Sequence, residues 1–579
     1  MHLDWRTLCC GWSLLLCWGC LSAAALGAQN TAEADTLRLY RTPEVVVTGS
    51  RNPTAADKAP VRVEVVPATR ADMAGQLTVA ELLEESAGVV QQYRIRTGIQ
   101  LMGLEPAYTL VLLNGQPLTG RVAGVVDLRR IPLGNVERIE IVKGPMSSLY
   151  GNAALGGVVN ILTPRPTNGW EGRLQVQHTT HTGSELHARL GYGTHRLATL
   201  LYGFLHHSAP FEVTTDTARF PYAGLTEGAL QATAYWQLHP GWDLQADGRF
   251  FQSQTRGAFA ESFGGQLAVN HGAFRQREWS AATTASWTYR RARLQGGLFA
   301  NQYEESYSWD TPQSSTDDFR QRLGRLWIQY DLLWNIRYRF TAGGELLVEE
   351  VSGSRYPEHP TVRTTAAFTQ WEGMPYEWLS YALSVRWDGT STYGGAWSPK
   401  ASFLLRPWGE RIVQLRLSVG TGFRAPDFRQ LFIRFTNRLQ GAGYALLGAR
   451  QLGLELAPEY SRAAEVSLLV ALEDLLRLAP WGKEWALEAR LFANWVHNLI
   501  EPFYVGRQEG LDIYSYRNLA RIATRGLELS VRGTVELPGR WRLQTRAGYQ
   551  FLDAVDLDVL AAIAAGTAGT QDPSTGRFQ

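Results

Sequence analysis

The run most suggestive of chemistry is Gly144-Pro145-Met146-Ser147-Ser148-Leu149-Tyr150-Gly151, a glycine-bounded loop with hydroxyls of the kind that cradles a phosphate. It lacks the Lys-Ser or Lys-Thr that completes such a cradle, so no nucleotide site is expected. The four cysteines, Cys9, Cys10, Cys17 and Cys20, all fall in the first twenty residues. No Ser/His/Asp or Cys/His arrangement stands out, and a catalytic carboxylate pair cannot be picked from 54 acidic residues. The expectation is therefore no enzyme, no cofactor and no resident metal. The histidines His178, His181, His206, His207, His271 and His359 stay open only as contacts to a bound molecule, at undefined positions.

The compartment is set by the N-terminus. Residues 1–28 carry a weakly basic start at Arg6, an apolar run through Leu14–Leu16 and small residues from Ala23 to Ala28, the pattern of an export signal. A membrane helix is the alternative, but the apolar stretch is short and broken by Gly11, Ser13 and Gly19. Lipid attachment at Cys20 is a second alternative, poorly prepared by Cys17-Trp18-Gly19. With the signal removed near Gly27 or Ala28, the exported chain has no thiol to mispair.

Composition narrows the class. The 579 residues include 57 Gly, 20 Trp, 23 Tyr and 21 Phe, with a net charge of +2 and no later apolar run of membrane-helix length, which excludes a nucleic-acid binder of basic character. From about Trp170 onward a two-residue period dominates. Leu527, Leu529, Val531, Val535 and Leu537 share one face against Glu528, Ser530, Arg532, Thr534 and Glu536. Trp485, Leu487, Ala489, Leu491, Ala493 and Trp495 oppose Glu488, Arg490 and Asn494. Alternation suits both a soluble glycan-binding β protein and an outer-membrane barrel; apolar faces tipped by Trp or Tyr favour lipid.

Connection lengths separate the two. Short turns are expected near His195, His239-Pro240-Gly241, Arg291-Ala292, Asn335-Ile336, Met374-Pro375, Pro407-Trp408-Gly409, Pro480-Trp481-Gly482 and Pro538-Gly539. They alternate with long connections at 207–227, 255–278, 351–363, 422–461 and 501–525. An outer-membrane barrel has this parity, with short periplasmic turns and long outer loops. Trp242, Trp408, Trp481 and Trp541 beside the short turns fit one interfacial girdle.

Ahead of the barrel, residues 44–165 mix helical and strand signals, as in a compact α+β domain: a short helix over Val79–Ser86, a buried strand Thr109–Asn114 turning at Asn114-Gly115, and strands over Val136–Val142 and Gly157–Thr163. Within it, Val136-Glu137-Arg138-Ile139-Glu140-Ile141-Val142-Lys143-Gly144-Pro145 and Ser148-Leu149-Tyr150-Gly151-Asn152-Ala153-Ala154-Leu155-Gly156-Gly157-Val158-Val159-Asn160-Ile161-Leu162-Thr163 closely resemble the plug signature of TonB-dependent receptors. Its marker positions are Glu137, Arg138, Gly144, Pro145, Tyr150, Gly151, Gly156, Gly157 and Asn160. Gly422-Phe423-Arg424-Ala425-Pro426 and Leu456-Ala457-Pro458-Glu459 resemble the family's mid-barrel boxes. The resemblance runs from about Thr42 to Ala554.

It implies a membrane all-β barrel in the cell outer membrane of a Gram-negative bacterium, with an α+β plug in its lumen. The layout expected is a signal peptide (1–28), a flexible periplasmic leader (29–43), a TonB box (43–48), the plug (49–165) and the barrel (170–579). The box, Pro43-Glu44-Val45-Val46-Val47-Thr48, is implied to hang into the periplasm and add as a strand to TonB, which its β-branched residues suit; a plain first plug strand is the alternative. The resemblance further implies that substrate binds above the plug and that TonB, with its inner-membrane partners, pulls the box and partly displaces the plug. The implied substrate is a ferric siderophore or cobalamin, met by a monomer. Tyr93, Arg94, Arg96, Gln100 and Arg121 on the apical plug loops are the candidate contacts. A haem receptor is disfavoured because no histidine follows Arg424–Pro426 through Arg450; a passive porin remains a further alternative. One departure stands out. The connections count about seventeen strands against the family's twenty-two, and 561–579 offers no closing aromatic strand. This leads to the expectation of a barrel cut short at its C-terminus by about five strands, with an open seam, or else of a genuinely smaller barrel.

Overall fold

In the computed structural model, residues 45–69, 78–84, 89–93, 97–121, 124–180, 183–214, 219–263, 266–309, 316–408, 412–439, 442–472, 482–537 and 541–567 are described. From Gly169 onward, one sheet of nineteen strands follows chain order from Gly169–Thr179 to Trp541–Asp556. Two of the nineteen, Arg434–Leu439 and Ala442–Leu447, form a separate hairpin between the wall strands Val413–Arg424 and Glu459–Ala471, leaving seventeen in the wall, the number the connections imply. Among the described residues no ladder joins the first wall strand to the last.

Which face is buried decides the environment. Leu174 is 72 % exposed, Leu491 56 % and Trp541 74 %, while Arg490, Glu528 and Arg386 are buried on the opposite face. A soluble β protein does the reverse, hiding its leucines and wetting its arginines. Outward apolar groups and an inward polar wall are the arrangement that hydrocarbon demands of a β-barrel. Trp242, Trp287, Tyr289, Trp334, Trp378 and Trp408 stand exposed near the short turns, as an interfacial girdle should.

Two expectations need correction. The short turn placed at Met374-Pro375 lies at Glu377-Trp378, because a bulge between Gly373 and Tyr376 carries the ladder on to Tyr376↔Leu379. The connections expected at 255–278 and 501–525 are largely not loops. Trp242–Phe263 pairs with Gln266–Tyr289, and Gly482–Gln508 with Leu511–Leu537, so both hairpins continue as hydrogen-bonded ribbons. Cross-strand bonding holds these stretches extended where composition alone suggests a loop.

The plug is a five-stranded sheet in the order Glu64–Pro67, Arg138–Lys143, Gly157–Leu162, Thr109–Leu113, Gln116–Pro117. Thr109–Leu113 and Gly157–Leu162 run parallel. Both of its faces are covered, so the strands read as nearly continuous apolar runs. The hairpin after Leu113 turns on Asn114 (φ 50°) and Gly115 (φ 77°), the left-handed pair that a two-residue loop requires. The helix over Val79–Glu84 matches the one read from sequence, whose expected last residues lie outside the described set. One apolar cluster, with Val79, Leu82, Leu83, Ile139, Ile141, Val159 and Ile161, lies on one side of the sheet. A second, with Val46, Ala59, Val61, Val63, Val142, Leu149 and Val158, lies on the other.

Candidate functional site

The second cluster contains the segment read as the TonB box. Pro43 and Glu44 lie outside the described residues; Val45–Thr48 does not hang free but is docked on the plug. Val45 and Val46 pair with Ala55 and Thr54. Val46 and Thr48 are essentially without solvent contact. The docking is largely polar. Oε2 of Glu140 accepts from the Val47 N–H (2.9 Å), the Thr48 N–H (2.9 Å) and the Thr48 hydroxyl (2.6 Å). Its other oxygen accepts from Arg138 Nε at 3.1 Å, and Arg138 also donates to the Val45 carbonyl. Asn160 Nδ2 donates to Thr48 Oγ1, and the Tyr150 hydroxyl to the Thr48 carbonyl. A buried carboxylate accepting several donors satisfies both the charge and the box's backbone, which otherwise lacks partners there.

The signature residues thus hold the box and shape the sheet beneath it. Glu137 pairs with Arg138. Gly157 is at φ 152° with the Val142 carbonyl 2.4 Å from where a Cβ would sit, so only glycine fits. Gly144 (φ 92°) and Pro145 turn the chain into the short helix Ser147–Tyr150, which Gly151 ends at φ 75°. Gly156 lets the Tyr108 carbonyl approach to 3.2 Å of a would-be Cβ.

At the plug's other end, Val89–Tyr93 pairs with Thr97–Leu101, placing Tyr93 at a hairpin tip and Gln100, half-buried, opposite Val90. Arg94 and Arg96 lie outside the described residues. Arg121 donates to the carbonyls of Ala107 (3.0 Å) and Thr109 (3.1 Å), and burial lowers its pKa to about 10. Its guanidinium braces the apex from within.

The plug is tied to the wall by ion pairs. Arg51 meets Glu345 (2.6 Å), Arg62 grips Glu488 with two nitrogens (2.5 and 2.6 Å), Arg130 meets Glu278 (3.0 Å), Lys143 meets Glu528 (2.8 Å) and Glu64 meets Arg546 (2.7 Å). The Tyr108 hydroxyl donates to Glu459 of the Leu456–Glu459 box, which also takes Arg424 of the Gly422–Pro426 box at 2.9 Å. Sequence reading places Glu488 and Glu528 on the polar strand faces and Glu459 in its box, but assigns none of these barrel carboxylates a partner on the plug. For the most buried of them, Arg51–Glu345 and Arg130–Glu278, removing one partner leaves an uncompensated charge at a cost of about 3–5 kcal/mol, so these two fix the plug in register most strongly. Of the histidines, His187 is engaged by Tyr202 at 2.8 Å and His206 by Glu185 at 3.0 Å.

Comparison with known proteins agrees with this architecture. Residues 55–158 match the family model of the TonB-dependent receptor plug domain, and 185–577 that of the TonB-dependent receptor-like β-barrel. The chain is 25 % identical over 450 residues to an iron-regulated outer membrane virulence protein of Vibrio cholerae, covering 72 % of this chain and 64 % of the relative. It is 24 % identical over 413 residues to a vitamin B12 transporter of Photobacterium profundum, covering 67 % and 63 %. The chain therefore spans just under two thirds of these relatives' length. A siderophore receptor of Pseudomonas aeruginosa superposes with a TM-score of 0.67 at 19 % identity, covering 85 % of this chain and 86 % of that one. A ferric enterobactin receptor of the same organism gives 0.70 at 18 %, covering 85 % and 81 %. The plug signature, the plugged polar lumen and the two family matches lead to one conclusion: the chain belongs to the TonB-dependent receptors, the plugged outer-membrane β-barrels of Gram-negative bacteria.

Proposed function

We propose that the protein is a TonB-dependent transporter that takes up a scarce nutrient, a ferric siderophore or cobalamin, binding it above the plug and passing it when TonB draws on the box. The layout follows the sequence reading: 1–28 directs export, 29–43 is the leader, 43–48 the box, 49–165 the plug and 170–579 the barrel. Tyr93, Arg94, Arg96 and Gln100 present the ligand face, with Arg121 bracing it. The reading is supported chiefly by one observation. Val45–Thr48 is docked through a few hydrogen bonds to Glu140, Asn160 and Tyr150, on a plug that is otherwise ion-paired to the wall. Such a segment is releasable, and a strand once released pairs with a partner's sheet edge. Binding at the apex and release at the box then form a coupling between two faces of one domain. No catalytic step is required.

The test is deletion of 43–48 in cells with active TonB, following uptake of radiolabelled ferric complexes and cobalamin. Uptake should fall to background while surface binding persists. Full uptake without the box would overturn the reading.

A further inference from the structure

Most inward charges of the wall are balanced, but two adjacent strands break the pattern. Gly394–Leu405 and Val413–Arg424 contain no Asp or Glu, yet their inner faces, with the first residue beyond, carry Lys400, Arg416 and Arg406. None of the three makes an ion pair with a described carboxylate; Glu465, opposite Ser418 on the next strand, attracts Lys400 but is itself held by Arg490 at 2.8 Å. Lys400 Nζ donates to the Pro145 carbonyl at 2.9 Å, and Arg416 to the carbonyls of Ala56 (3.2 Å) and Ala59 (3.1 Å). Arg406 is 1 % exposed and reaches Ser380 Oγ at 2.9 Å through one nitrogen, while its Nε and other terminal nitrogen have no partner. Between them the wall is small and hydroxylated: Ser398 and Ser402 are buried, and Ser402 faces Ser418 at 2.9 Å. From Lys400 to Arg406 the row runs about 20 Å toward the periplasmic turn at Pro407-Trp408.

What covers this row belongs to the movable side of the plug. Ala56 and Ala59 lie within residues 45–63, the stretch continuous with the box, and Pro145 precedes the helix Ser147–Tyr150 of the same cluster. Drawing on the box takes away the carbonyls of Ala56 and Ala59, and with them Asp57, whose buried Oδ1 has no partner. The acids uncovered elsewhere keep cations nearby. Glu345, on losing Arg51, retains Arg325 and Arg386. Glu488, on losing Arg62, stands two strands away, with Arg532 on the next strand opposite Ala486.

The geometry points to the inner face of these two strands as the passage of an anionic cargo, its negative groups replacing the plug carbonyls on Lys400 and Arg416 and meeting the unpartnered nitrogens of Arg406. This rests on the plug-displacement reading above. Unpaired cations in a low-dielectric cleft raise the local concentration of anions, by roughly tenfold or more.

The experiment places a lone thiol on the row in the full chain, as Ser402→Cys, and a control thiol on the far wall, as Thr233→Cys. Cells with active TonB are treated with two methanethiosulfonates of similar size, one bearing a sulfonate and the other a trimethylammonium group. The expected result is box-dependent labelling at position 402, about tenfold faster with the anionic reagent. The preference should vanish with Arg406→Gln and Arg416→Gln and survive with Arg406→Lys and Arg416→Lys, which guards against misfolding. Equal rates at 402, or box-dependent labelling at 233 alone, would overturn the inference. Labelling at neither site would overturn the plug-displacement reading, and the inference with it.

Discussion

The two sides of the plug sheet are built differently. On one side Ile139, Ile141, Val159 and Ile161 meet Val66, Leu82, Leu83 and Leu128 in an apolar core made wholly of residues after Val65. On the other, the alternate positions of the same strands set Glu140 and Asn160 beside Val142 and Val158, so the stretch from Val46 to Val63 packs there on a mixed surface, apolar under Val61 and Val63 and polar under Val47 and Thr48. An apolar core yields only at the cost of its full buried area, whereas a carboxylate and an amide release a strand once water or another acceptor replaces them. The plug thus combines a half closed by apolar packing with a half whose leading segment, Val45–Thr48, is held by hydrogen bonds and whose remainder is tied to the wall through Arg51 and Arg62.

Substitutions on each side put that division at risk. The largest effect is expected from Arg130→Gln, which leaves Glu278 buried with only Arg249 and Asn301 and should loosen the apolar-packed half by about 3 kcal/mol. Denaturant unfolding of the purified protein checks it; a loss confined to the 45–63 stretch would mean that the two halves are not distinct. Next comes Glu140→Gln. An amide must turn either its NH2 toward the Val47 and Thr48 donors or its single oxygen away from Arg138, so docking should weaken by about 2 kcal/mol. Hydrogen exchange of the Val47 and Thr48 amides should quicken while those of Ile139 and Ile141 stay slow; equal acceleration in both sets contradicts the comparison. The smallest effect is on acidification. Burial pushes the Glu64 carboxyl up, but Lys143, Arg546 and Arg62 outweigh it and hold the group below its ordinary value. Its contribution is therefore full above the ordinary carboxylate range and fades as pH falls through the lowered value. Arg546→Gln should flatten that acid limb of the stability profile and cost under about 1 kcal/mol at neutral pH.

Much of this was legible in the chain itself. Period-two alternation, the short turns and their tryptophans lead to seventeen wall strands, because hydrocarbon and lumen impose opposite polarity on successive residues. The Val136–Pro145 run identifies the plug, but nothing in it sets Glu140 apart from the neighbouring charges Glu137, Arg138 and Lys143. What Glu140 holds was not legible. Its partners lie 92 and 93 residues away, and Arg62 meets Glu488 across 426. Nothing local distinguishes Glu488 from the other acids, since its role exists only once the wall has curved round the plug. The docking of Val45–Thr48 was legible only as the alternative of a first plug strand, because a β-prone stretch pairs equally well with its own domain or with a partner's edge.

The ribbon formed by Gly482–Gln508 and Leu511–Leu537 carries a consequence for the cell surface. Strands of 27 residues extend about 90 Å, while crossing the bilayer takes only 9–11 residues, so much of this hairpin stands clear in the medium. Its outer part is braced by Gly443–Leu446 running parallel beside Leu511–Tyr514. A mast stiffened in this way is what an antibody or an approaching particle touches first, well before it reaches the lipid.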